Sequence, residues 1–116
     1  MKISITGLGY VGLSNALLLA KNNEVVAYDS STNLIKNLQA QETHFNDQEI
    51  QEYLRDKNLN IHFTDNAEEA YADADYAVIS IPTNFDDRKK SFDTHPIKVV
   101  IKDIIKINPN AVIVIK

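Results

Sequence analysis

Apolar residues fall along this chain in two alternating patterns: short unbroken runs, and stretches with helical spacing. Residues 2–6 read as a strand that begins the fold. The stretch 10–22 is apolar nearly all round, as a helix packed on a sheet requires, and Asn22-Asn23 gives it a turn to stop on. A second strand covers 24–28. Ser30, Ser31, Thr32 and Asn33 offer N-caps for a helix over 33–41, with Leu34, Ile35 and Leu38 as its inner stripe. In 47–57, Ile50, Tyr53 and Leu54 repeat at i, i+3 and i+4 and mark one buried face.

Asn58 and Asn60 bracket a turn into a short strand, 61–64. Asp65 or Asn66 then caps a short helix through Ala72. The run 76–81 is nearly continuous in apolar residues, the pattern of a parallel strand buried on both faces, and Pro82 ends it. Residues 83–92 read as a polar, charged loop. Asp93 or Thr94 caps a last helix with Pro96 in its first turn, where a missing N–H is harmless. Val99, Val100, Ile101, Ile104, Ile105 and Ile107 fill that helix, Asn108-Pro109-Asn110 breaks it, and 111–115 forms a final strand. This alternation predicts an α/β fold: a doubly wound, mainly parallel sheet in three α/β/α layers.

The first strand runs straight into Gly7-Leu8-Gly9-Tyr10-Val11-Gly12, and the second ends at Asp29. A lone G-x-G-x-x-G says little. Between a strand and a helix, with an acidic residue at the tip of the next strand, it is the dinucleotide-binding fingerprint. In that reading Gly7 allows the tight turn, Gly9 lets the backbone approach a pyrophosphate, and Gly12 lets the helix pack close to the strand. The pyrophosphate meets the helix N-terminus, where free N–H groups favour an anion. The Asp29 carboxylate accepts from the adenosine ribose hydroxyls and repels a 2′-phosphate, which favours NAD over NADP. A glycine-bearing turn without ligand, and an aspartate that merely caps the next helix, are the bland alternatives.

On the same carboxyl edge lies Pro82-Thr83-Asn84; Thr83 is placed to bond a ribose or phosphate of NAD, although a strand-ending Pro-Thr is often only a turn. The following loop carries Arg88 in a small basic cluster: a solvated run, or a contact for an anionic substrate or another part of a larger protein.

Composition narrows the choice. The chain has 116 residues, enough for one domain with a real core, and 44% are hydrophobic. A net charge of −4 with interspersed signs shows no basic stripe for nucleic acid. No apolar run approaches the roughly 20 residues that span a bilayer, and glycines break the N-terminal one, so neither a membrane span nor a secretory signal is expected. With no cysteine there is no disulfide, thiolate metal site or cysteine nucleophile in the chain, which fits a cytoplasmic protein. His44, His62 and His95 lack metal-ligand spacing, so no metal is expected. The chain stops at Lys116 directly after an apolar strand, and the loop that would face a cofactor there is missing; the expectation is one domain, 1–116, of something longer.

Together, residues 1–13 (MKISITGLGYVGL), 23–29 (NEVVAYD), 74–94 (ADYAVISIPTNFDDRKKSFDT) and 99–116 (VVIKDIIKINPNAVIVIK) resemble the UDP-glucose/GDP-mannose dehydrogenase family over essentially the whole chain. The resemblance implies a Rossmann-type NAD domain at the N-terminus of a homodimeric enzyme with a central helix and a UDP-sugar domain. It implies oxidation of the C6 alcohol of UDP-glucose to a carboxylate with two NAD and a catalytic cysteine, and a chain that is inactive alone. Another nucleotide-sugar dehydrogenase, acting on a UDP-N-acetyl sugar or GDP-mannose, and a stand-alone NAD-binding module stay open. By position Gly7, Gly9, Tyr10, Val11, Gly12, Asp29 and Thr83 match the family's NAD-binding set, and the UDP-sugar site lies outside the chain. Two departures stand out. Leu34 replaces a frequent Lys or Arg, and Gln41 and His44 stand where a Gly-x-x-Pro-like turn is usual.

Overall fold

A computed structural model describes residues 1–82 and 94–116, with the backbone of 85–86 and 91–92. Five strands form one sheet: β1 (Lys2–Thr6), β2 (Glu24–Tyr28), β3 (Ile61–Thr64), β4 (Tyr76–Ile79) and, last in the chain, β7 (Val112–Ile115). Their order is β3-β2-β1-β4-β7, and every neighbouring pair is parallel. The chain moves outward from β1 to β3 and then crosses back to β4. The order therefore reverses beside β1, and the carboxyl ends at that point form the usual binding crevice of an open α/β sheet.

Alternation along β1 sorts the two faces. Ile3 and Ile5 join a core with α1 (Tyr10–Leu19), α2 (Thr32–Gln39) and α3 (Gln48–Leu54), through Leu13, Leu17, Ile35, Leu38, Ile50 and Leu54. On the opposite face, Val26, Ala77 and Ile79 pack against Tyr71 of α4 (Ala67–Tyr71) and Ile104 of α5 (His95–Ile107). Three layers result, as expected from the pattern. Complete burial of a residue such as Ile104 contributes about 2–3 kcal/mol.

Caps fix most of the helix starts. Ser31 Oγ accepts from Leu34 N, Asp47 Oδ1 from Glu49 N and Ile50 N, and Asn66 Oδ1 from Glu69 N. The helix ends differ more from expectation. α1 stops at Leu19, three residues short of 22: Lys21 N and Asn22 N donate only three residues back, to Leu18 O and Leu19 O, and Asn23 N and Nδ2 close the end on Leu19 O at 3.0 and 3.1 Å. At the end of α2, Gln41 N donates to Leu38 O and Glu42 N to Asn37 O, both at 2.9 Å, which closes a Schellman motif. Gln41 sits at φ 63, the left-handed position that glycine fills without strain.

β4 ends at Ile79, before Ser80 and Ile81; Ser80 N still donates to Thr6 O at 2.8 Å, and Ser80 O lies against the glycine turn. Within the stretch expected as plain loop, Phe85–Asp86 (β5) and Ser91–Phe92 (β6) pair as a short antiparallel ribbon. Thr83 and Arg88 lie outside the described residues. Asn108 caps α5 and its Nδ2 donates to Tyr71 O and Ala74 O, at 2.9 and 3.0 Å, locking the end of α5 onto the end of α4. Of the apolar residues in α5 only Ile104 is fully buried; Val99 is 45% exposed and Ile105 52%.

Candidate functional site

The glycine turn is built against two neighbours. Gly7 N donates to Tyr28 O at 2.9 Å, which ties the exit of β1 to the end of β2. Gly7 has φ +93, and a Cβ there would lie 2.7 Å from Ser80 O. A Cβ on Gly12 would lie 1.8 Å from Gly7 O, so α1 starts at a distance from β1 that only hydrogen permits. Gly9 is different: nothing lies within 4 Å of where its Cβ would stand, and its φ of −67 suits any residue. The fold itself makes no demand for glycine at position 9.

Gly9 is also the N-cap of α1, without a side-chain cap and with no acidic residue in the first turn. The first N–H groups of a helix have no intrahelical partner and carry partial positive charge. An anion beside Gly9 would meet them with no side chain between. This open cradle fits a pyrophosphate.

Asp29 closes the other side. Its Oδ1 accepts from Ser31 N at 2.9 Å and its Oδ2 from Leu8 N at 3.0 Å. The carboxylate is thus held by the glycine turn on one side and by its own turn on the other. Gly7, Gly9 and Asp29 line one cleft of about 490 Å³, together with Thr6, Tyr28 and Ser30 on its β1–β2 side. The far wall is Ile81, Pro82 and one face of α5, namely Pro96, Val99, Val100 and Asp103.

Tyr28 lies over a buried polar pair. Its ring meets Tyr71 edge-on at 5.8 Å, and Tyr71 Oη lies 2.7 Å from Thr6 Oγ1. Burial pushes the Tyr71 hydroxyl up to about 12, partly offset by the bond to Thr6. Tyr28 is raised too, by burial first and then by the carboxylates of Asp103, Asp29 and Asp65.

The other residues singled out in the sequence fall differently. Gly12 is buried behind the turn, and Tyr10 and Val11, 52% and 58% exposed, do not line the cleft. Tyr10 Oη donates to Asp47 Oδ2 at 2.9 Å, and its ring stands edge-on to Phe45 at 5.3 Å. The Asp47 carboxyl is held below its usual range by the Ile50 N–H and by Tyr10, whose hydroxyl is raised in turn. The Tyr10 side chain is therefore directed to the segment before α3. Sequence reasoning did not find Tyr28 or the α5 wall. The available signal was the spacing of Pro96, Val99, Val100 and Asp103, one helical face carrying both apolar residues and a carboxylate. Among the described residues no group of three His, Asp or Glu is placed to hold a metal ion, and no helix is long and apolar enough to cross a membrane.

Comparison with known proteins gives this geometry a context. The model of the UDP-glucose/GDP-mannose dehydrogenase family, NAD binding domain, matches residues 1–116. The chain is 42% identical to a UDP-glucose 6-dehydrogenase of Campylobacter jejuni subsp. jejuni, over all of this chain and 30% of that protein. It is 38% identical to a UDP-glucose 6-dehydrogenase of Streptococcus pneumoniae, over all of this chain and 29% of that protein. Among solved structures, a UDP-glucose dehydrogenase from Pyrobaculum islandicum superposes with a TM-score of 0.88 at 27% identity, covering 99% of this chain and 28% of that one. The chain thus spans less than a third of the length of these relatives.

Proposed function

Because the chain belongs to the UDP-glucose/GDP-mannose dehydrogenase family, as its NAD-binding domain, we propose that it serves an enzyme oxidising UDP-glucose to UDP-glucuronate. The observation that carries the binding reading is the contrast among the glycines: Gly7 and Gly12 are required by packing, whereas Gly9 faces open space at an uncapped helix start. In this reading Gly9 and the first-turn N–H groups of Tyr10, Val11 and Gly12 hold the pyrophosphate. Asp29 takes the adenosine ribose, and Thr83 completes the set. Bound NAD supplies a hydride acceptor. The residues of this chain bind and orient it; with no cysteine among them, they provide no thiol nucleophile. UDP-glucose as the substrate is supported by the named relatives at 42% and 38% identity.

Calorimetric titration of the 116-residue chain with NAD and NADP tests this. Binding of NAD, with NADP weaker, is expected. Equal affinity for the two, or no binding of NAD, overturns the assignment of the site. Formation of NADH when the chain is given NAD and UDP-glucose would overturn the division of labour, since a binding domain alone should not turn over.

A further inference from the structure

The cleft extends past Asp29 to a wall that the glycine fingerprint does not describe. Pro82, Pro96, Val99 and Val100 give that wall an apolar surface, and Val99 remains 45% exposed within it. At its end stands the Asp103 carboxylate, on the same face of α5. Asp103 makes no hydrogen bond or ion pair among the described residues. A cleft of about 490 Å³ is within the usual range for small-molecule sites. An apolar wall ending in a single acceptor suits a flat heterocycle with one donor edge.

We propose that Asp103 is a specificity-determining residue that reads the base of the dinucleotide by accepting a hydrogen bond from the adenine 6-amino group. This rests on the assignment of the ribose to Asp29. From that ribose the base continues along the cleft, away from the glycine turn, between the Tyr28–Ser30 segment and α5. With N9 bonded to the sugar, the 6-amino group is the one N–H donor of adenine. Among the described residues, the two carboxylates lining the cleft are Asp29 and Asp103. Asp29 is committed to the ribose, with each of its oxygens also taking one backbone N–H, from Leu8 and Ser31. The Tyr28 hydroxyl both donates and accepts, so it does not discriminate between bases. Asp103 only accepts. It favours a 6-amino group and repels the 6-oxo group of hypoxanthine.

The test uses NAD and nicotinamide hypoxanthine dinucleotide, which differ at that group and its neighbouring ring nitrogen. Titrated into the parent chain, NAD should bind about tenfold more tightly, the scale of one partly exposed charge-assisted bond. Asp103→Asn offers an acceptor and a donor at once, so it should bind the two dinucleotides within about twofold of each other. Asp103→Ala should weaken NAD and leave the hypoxanthine analogue unchanged or improved. Asp103 is exposed on α5, so circular dichroism of both variants should match the parent. Equal binding of the two dinucleotides by the parent, or tenfold discrimination kept by Asp103→Asn, overturns the base-reading role while NAD binding stands. A parent that binds neither dinucleotide overturns the cofactor site and this role with it.

Discussion

The carboxylate of Asp29 accepts the backbone N–H of Leu8 at 3.0 Å, so the residue that ends β2 also holds the turn that follows β1. One side chain thereby sets the shape of the cradle and presents charge beside it.

Asp29→Ala should act on both properties. Loss of the bonds to Leu8 N and Ser31 N should lower stability by about 1–2 kcal/mol, since hydrogen bonds to charged groups are among the stronger ones and this site is partly exposed. The preference for NAD over NADP should narrow, because repulsion toward a 2′-phosphate is relieved. Urea denaturation reads the first effect and titration of both cofactors the second. An Asp29→Ala variant that retains the parent's full preference would remove Asp29 from the ribose site.

The three glycines should respond differently to substitution. Gly12→Ala places a Cβ 1.8 Å from Gly7 O and should unfold the domain or cost several kcal/mol. Gly7→Ala meets Ser80 O at 2.7 Å and forces a side chain to φ +93, with a similar outcome. The Cβ of Gly9→Val meets nothing within 4 Å, so its thermal midpoint should fall by no more than the loss of a favoured N-cap residue while NAD binding is lost. Thermal melts beside calorimetry check all three. Normal NAD binding by Gly9→Val would reduce the triplet to a structural turn.

Gln41→Gly should stabilise the domain. A left-handed residue with a side chain costs roughly 1–2 kcal/mol, and the greater freedom of glycine in the unfolded chain returns part of that, so a net gain of about 0.5–1 kcal/mol is expected. The backbone bonds of the Schellman motif are kept in the variant. A shift of the urea midpoint to higher concentration at unchanged slope is the expected signature. A fall in the midpoint would mean that the Gln41 side chain contributes more than its backbone strain costs.

Tyr71 gives the fold an alkaline limit. Its proton is held up to about 12 in the folded chain, against an ordinary 10.0. Below pH 10 both states keep the proton and the contribution is complete; above it the unfolded chain ionises first. Stability should therefore fall as pH rises from about 10 to about 12, by on the order of 2 kcal/mol from this group. Tyr71→Phe should start lower, because Thr6 loses its partner, and should decline less over the same interval. Equilibrium denaturation at a series of pH values distinguishes the two slopes.

The strands were legible because local punctuation bounds them. Gly7 ends β1, Asn23 and Asp29 bracket β2, and Asn60 precedes β3, so periodicity and breakers agreed there. The ends of α1 and β4 depend on contacts made by a folded chain. Asn23 reaches back to Leu19, and Ser80 O lies against Gly7. The site was half legible for the same reason. A glycine spacing and the acid at a strand tip are local signals, and Gly7, Gly9 and Asp29 do meet in one cleft. The wall supplied by α5 is not local. That helix is apolar on most sides, and which face meets the sheet and which meets the cleft is set by packing across β4.

The unequal crowding around the three glycines also bears on how divergent sequences should be read. A descendant of this domain that had lost its ligand would still be held to glycine at positions 7 and 12, because its fold would fail otherwise. Position 9 would drift freely. Of the three letters that define the fingerprint, two therefore record architecture, and the middle one is the usable marker of whether a dinucleotide still selects the sequence.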